Sequence, residues 1–211
     1  MPRIALIHAG AVSIPPVEAA FAALWPEATC MNLLDDSLFA DRGAGALPPG
    51  MTDRFLALAR YAAGTGADGI LFTCSAFGPC IAAAAAALAP LPVLKPNEAM
   101  VEAACAAGRR IGLLATFPGT LATMPAEFPA GVTLVPHLVE GAFAALQAGD
   151  MAEHDRLVVD AARHLADCDA IALAQFSLSR AAPAVEQALG RAVLTTPGSA
   201  VRKLRGLLSP A

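Results

Sequence analysis

The triplet Thr73-Cys74-Ser75 holds the side chains best suited to chemistry in this chain. A thiolate serves as nucleophile or base, and flanking hydroxyls can donate to a developing anion. Ile70, Leu71 and Phe72 precede it as a short apolar run, the pattern of a strand buried on both faces. Gly78-Pro79 then opens the alanine-rich segment 81–89, which reads as a helix. That order sets Cys74 just past a strand's carboxyl end and facing a helix N-terminus, where open α/β sheets present their ligands. A thiol there can have a lowered pKa and act as a thiolate. The alternative reading makes Cys74 a small buried hydrophobe, the commoner fate of a cysteine.

The elements that must position this triplet belong to a chain of 211 residues, enough for one compact domain or two small lobes. It is 56% hydrophobic, but much of that is alanine, and no apolar run approaches the ~20 residues of a membrane span. The formal charge is −4, with Arg109-Arg110 only a pair, so neither nucleic acid nor an anionic membrane is expected as a partner. Met1-Pro2-Arg3 leads straight into a strand without a secretory pattern. Cys30, Cys74, Cys80, Cys105 and Cys168 form no CxxC pair and are odd in number, which argues against a disulfide framework or zinc site. Of the histidines (8, 137, 154, 164), His154 and His164 share one predicted helix ten residues apart and are expected at the surface, with no metal-ligand arrangement. A cytoplasmic protein is expected.

Strands are predicted at 4–7, 29–34, 70–72, 91–94, 111–115, 132–135, 170–174 and 193–195. Between them lie helices, one starting at Pro15-Pro16, one capped by Thr52 and ending near Gly64, and one capped by Asn97. Asp150 with Glu153 three residues on resembles a capping box, and Pro197 begins the last helix. Residues 35–50, rich in Asp, Gly and Pro, read as a long surface loop. Strands alternating with helices predict mostly parallel sheets with helices on both faces.

The two halves repeat. Arg3-Ile-Ala-Leu-Ile answers Arg110-Ile-Gly-Leu-Leu at an offset of 107, and Asp53-Arg54-Phe55-Leu56 answers Asp155-Arg156-Leu157-Val158 at 102. Asp68-Gly-Ile-Leu-Phe-Thr-Cys answers Asp169-Ala-Ile-Ala-Leu-Ala-Gln at 101, and Pro92-Val93-Leu94 answers Ala192-Val193-Leu194 at 100. Four matches in one order predict duplication: two pseudo-symmetric, Rossmann-like lobes, 1–94 with 195–211 and 95–194. Such lobes would bring equivalent strand ends to one cleft, with Cys74 opposite its counterpart Gln175. The loops after the first strands, 8–13 and 116–120, are expected to line it, where their NH groups and hydroxyls suit a carboxylate.

This arrangement resembles the aspartate/glutamate/hydantoin racemase superfamily, which includes maleate isomerases and arylmalonate decarboxylases. The resemblance covers both lobes and the Asp-x-Ile-x-x-x-Cys approach to Cys74. It implies a cofactor-independent enzyme, a homodimer or higher homo-oligomer, that acts on a small carboxylate, amino acid or hydantoin-like cyclic amide. The family's racemases use two cysteines, one removing the α-proton as thiolate and the other returning a proton to the opposite face. By resemblance Cys74 is the first, and Thr116, in Leu-Leu-Ala-Thr, belongs to the second lobe's substrate loop.

The departure is Gln175, which stands where the family places its second cysteine. An amide has no proton-transfer pKa near neutrality. Cys168 precedes its strand and belongs at the far end. One thiol still suffices for decarboxylation, for isomerisation of an alkene or for a covalent adduct, and a non-catalytic small-molecule binding protein on the same scaffold is the alternative outside enzymes. His8, Thr73, Ser75, Thr116, Thr120, Gln175 and Ser177 are the expected substrate-binding residues. For Thr116 and Thr120 the competing role is helix capping, and for His8 it is a backbone-satisfied loop histidine. Asn97 is expected to cap, and Cys30, Cys80 and Cys105 to pack.

Overall fold

A computed structural model describes residues 1–42 and 47–208 and divides the chain into two compact units. The first is Met1–Asn97 with the chain from Ala200 onward, and the second is Glu98–Ser199.

In the first unit, strands β1 (Arg3–His8), β2 (Thr29–Leu34), β3 (Gly69–Phe72) and β4 (Val93–Leu94) form a parallel sheet in the order β2-β1-β3-β4. Helices α1 (Ile14–Leu24), α2 (Ser37–Arg42), α3 (Met51–Gly64) and α4 (Gly78–Leu88) complete it. β3 is buried along its whole length, and β1 from Ile4 to His8, as central strands covered on both faces must be. On α3, Phe55 packs against Phe72 at the end of β3 and against Phe77 before α4, with ring centroids 5.2 and 4.8 Å away. All three rings are buried. The turn carrying Cys74 is therefore clamped on both sides to one aromatic ring.

The second unit repeats the plan: β5 (Arg110–Ala115), β6 (Thr133–Leu138), β7 (Ala170–Leu173) and β8 (Leu194–Thr195), parallel in the order β6-β5-β7-β8. Its helices are α5 (Glu98–Ala107), α6 (Pro118–Thr123), α7 (Ala142–Gln147), α8 (Met151–Arg163) and α9 (Ala182–Leu189); α10 (Thr196–Leu208) starts in this unit's segment and ends in the first's. The register repeats with the topology. Ile7 pairs with Phe72 as Leu114 pairs with Leu173, at the sequence offsets of 107 and 101. One carboxylate recurs as well: Asp68 accepts from the Arg3 amide (2.8 Å), and Asp169 from the Arg109 and Arg110 amides (2.7 and 2.8 Å). Gly112 takes the place of Ala5 because a Cβ there would stand 2.9–3.0 Å from Leu165, in the turn after α8.

Four expectations are corrected. The 35–50 segment is not all loop. Asp35 receives the Ser37 amide and hydroxyl, Leu38 is buried, and Arg54 binds Asp35 and Asp41 at 3.0 and 2.7 Å, which together hold α2 in place. Residues 43–46 of that segment lie outside the described residues. Thr52 does not cap α3: Gly50, at φ +78°, is the N-cap, and the Thr52 hydroxyl lies 3.5 Å from Cys80 Sγ. Helix α7, entered through Gly141 at φ +76°, was not foreseen. His154 is fully buried rather than superficial, with Nδ1 2.8 Å from Asp155, which Arg180 also binds at 2.6 Å. His164 is exposed and stacks on His137. The Asp150 cap forms as expected, accepting from the Glu153 amide at 3.0 Å.

Candidate active site

At the carboxyl end of the first sheet, the Thr73 amide donates to the Ile7 carbonyl (3.0 Å) and carries the β1–β3 ladder one residue further. This lays Thr73 beside His8. His8 Nδ1 and Thr73 Oγ1 are 2.8 Å apart, and His8 Nε2 lies 2.9 Å from Asn32 Oδ1 on β2. Asn32 Nδ2 donates to Glu18 Oε1 on α1 at 2.7 Å. The chemistry fixes the proton positions. Because the Asn32 nitrogen serves Glu18, its oxygen faces His8 and requires a proton on Nε2, so in the neutral ring Nδ1 accepts from the Thr73 hydroxyl. Burial drives the His8 pKa below the usual histidine value, outweighing the opposing pull of Asn32 and Glu18. His8 has no exposed surface and Thr73 is nearly as buried. Both expected substrate ligands thus spend their polar atoms on an internal chain.

Cys74, half-buried, follows Thr73 and precedes the short helical turn Ser75–Phe77. Burial raises the thiol pKa, and the Ala76 amide hydrogen bond and the Arg42 charge pull the other way without matching it. The expected lowering is therefore not what the surroundings produce: desolvation is the larger effect, and it favours the neutral thiol. Arg42 Nε also donates to the Ala76 carbonyl at 3.2 Å, tying α2 to this turn. Ser75 is exposed beside Cys74.

In the second unit the position answering Cys74 is Gln175, also just past its strand. Its Oε1 accepts from the Thr116 amide (2.5 Å) and from the Thr116 hydroxyl (2.9 Å). Thr116 leaves β5 as Ala9 leaves β1. Next to it Phe117 is exposed, its ring 4.4 Å from that of Phe143 on α7. Thr120 sits half-buried in the first turns of α6, its carbonyl accepting from Met124. Ser177 is half-buried in the turn after Gln175.

Cys168 is buried ahead of β7, at the amino end of that strand. Burial, aided by Glu18, pushes the Cys30 thiol up to about 11, and Cys80 is buried. Among the described residues no three His, Cys, Asp or Glu side chains gather as a metal site would require, and no helix is long and apolar enough to cross a membrane. Sequence reasoning missed Glu18, Asn32 and Arg42. Only a lone Asn in an otherwise apolar strand hinted at the first two.

The Asp/Glu/Hydantoin racemase family model matches residues 17–204. The chain belongs to this family. Allantoin racemase from Klebsiella pneumoniae is 19% identical, with 99% of this chain and 88% of that one covered at a TM-score of 0.73. An aspartate racemase homologue from Pyrococcus horikoshii OT3 is 16% identical over the full length of both chains at 0.74. Unliganded arylmalonate decarboxylase is 22% identical, covering 100% of this chain and 94% of that one at 0.68. These likenesses concern the fold. No curated protein sequence matches the chain.

Proposed function

We propose that this family member is a cofactor-independent racemase- or isomerase-type enzyme acting on a small carboxylate, amino acid or hydantoin-like cyclic amide, with Cys74 as its acid/base group. The observation that carries the reading is the setting of Cys74. It lies just past a buried strand, in a turn clamped through Phe72 and Phe77, with the Ala76 amide and the Arg42 charge available to a sulfur anion. Removing a proton α to a carboxylate generates an enolate whose oxygens need donors. On this reading Ser75, Thr120, Gln175 and Ser177 supply the recognition, Thr116 orients the Gln175 amide, and His8 and Thr73 brace the strand end that leads into Cys74.

A second reading, single-thiol decarboxylation, is favoured by the amide at position 175 and by the desolvation that disfavours the Cys74 thiolate. When a substrate carboxylate departs as carbon dioxide, its bonding pair stays on the α-carbon as an enediolate. That carbon takes the Cys74 proton, and solvent reprotonates the sulfur. This route needs one proton donor and no second base, which suits an amide at position 175.

The test is a panel assay with amino-acid enantiomers, hydantoins, dicarboxylates and arylmalonates, on the native protein and on Cys74→Ser. A turned-over substrate with a loss of about a thousandfold or more in the variant supports the role of the thiol, since a serine hydroxyl does not ionise near pH 7. Wild-type activity in the variant removes Cys74 from the mechanism. Binding without turnover across the panel assigns the chain to the non-catalytic alternative.

A further inference from the structure

The two Thr116 donors do more than hold Gln175. They decide which end of its amide meets a ligand. Thr116 N–H and Oγ1–H converge on one atom at 2.5 and 2.9 Å, and only an oxygen can accept both. Turning the amide over would set an NH2 against the Thr116 N–H; the hydroxyl could rotate to accept, but the backbone N–H has no such freedom and would lose its partner. The orientation is therefore locked by β5 and its loop. Nε2 is then the free end. Among the described residues no hydrogen bond reaches it, and Gln175 is only part-buried.

We infer that Gln175 is a specificity-determining residue that works by polarity: fixed as a pure donor, it donates to a carboxylate or carbonyl oxygen and rejects an ammonium group. The inference rests on the substrate-binding role given to Gln175 above and sharpens it. An unlocked glutamine could serve either class by flipping, whereas this one presents N–H bonds only. Exchange of Nε2 for an oxygen reverses the preference without disturbing the loop, because the remaining oxygen of a glutamate still accepts both Thr116 donors.

The experiment is a titration of phenylacetate and of benzylammonium, a matched pair with opposite head groups, into the full chain by calorimetry and ligand-observed NMR. The native protein is expected to bind phenylacetate at least about tenfold more tightly than benzylammonium, the range of one hydrogen bond to a charged group. Gln175→Glu should lose phenylacetate by a similar factor and gain benzylammonium. Gln175→Leu should lose the preference while keeping the fold. Thr116→Val, which removes one of the two locking donors, should narrow the native ratio. Native binding of neither probe, a native preference for the ammonium, or an unchanged ratio in both Gln175 variants overturns the inference. Selective binding that follows Gln175, with no turnover in the panel assay, upholds the donor and rejects the proposed reaction instead.

Discussion

His8 and Thr73, 65 residues apart in sequence, share a 2.8 Å hydrogen bond at the carboxyl ends of adjacent parallel strands, with the imidazole wholly buried. The bond links Cys74's neighbour to Asn32 and to the Glu18 carboxylate on α1. A neutral ring satisfies every member. A charged ring would need a second proton on Nδ1, reverse the Thr73 hydroxyl and place a cation in a dry pocket.

The first prediction follows from that environment. The folded-state pKa of His8 lies below the unfolded value of about 6.5, so at mildly acidic pH the unfolded chain binds more protons. The contribution of His8 is present above that value and is lost as pH falls through the folded one. Chemical-denaturation midpoints measured from pH 7.5 to 5 should decline in the native protein and decline less in His8→Gln. Parallel curves for the two proteins would remove His8 as the cause.

Much of the fold was legible because buried parallel strands write themselves as apolar runs. Residues 4–7, 70–72 and 111–115 all lie in strands, as do 170–173 of the expected 170–174, and the offsets match the repeated register. Helix α2 was not legible. Its stability comes from Leu38 burial and from Arg54 reaching Asp35 and Asp41, contacts made by folding and invisible to local periodicity. The same holds at the site. The order strand, Cys74, helix could be read locally, but the partners of His8 stand 24 and 65 positions away, and Gln175 meets Thr116 across 59. The sign of the Cys74 shift depends on how much chain covers the sulfur, which no motif records.

The second prediction concerns that sulfur. Because burial raises the pKa of Cys74, its alkylation by iodoacetamide, followed by mass spectrometry, should still be accelerating with pH above 9. Arg42 opposes the rise, so Arg42→Met should slow labelling at pH 8 by several-fold and move the curve further alkaline. Labelling that levels off near pH 7, or an Arg42→Met curve unchanged from native, would contradict this account.

The aromatic clamp yields a third. Phe55→Ala empties the space between Phe72 and Phe77 and should cost about 3–5 kcal/mol in urea denaturation. Asp150→Ala, which removes only the α8 cap, should cost about 1 kcal/mol. Under conditions where both variants remain folded, turnover should fall in Phe55→Ala and hold in Asp150→Ala. Equal turnover in the two variants would mean that the clamp does not position Cys74.

The last prediction follows from the missing second thiol. Gln175 can donate a hydrogen bond, but it has no proton to shuttle near neutral pH, which leaves Cys74 as the one acid/base group of the proposed reaction. Proton removal and return by a single group occur on one face of a planar intermediate. On whichever chiral substrate the panel identifies, an α-hydrogen should therefore exchange in deuterated water with retention and without racemisation. Proton NMR measures the exchange, and chiral chromatography measures the configuration. Gln175→Cys supplies a second thiol and also releases the Thr116 amide and hydroxyl that Oε1 had occupied. The freed donors can then receive a substrate oxygen, so racemisation should appear in this variant alongside exchange. Rapid racemisation by the native protein, abolished by Cys74→Ser, would mean that another residue serves as second base. Ser177, half-buried in the turn beyond Gln175, would be the first to replace.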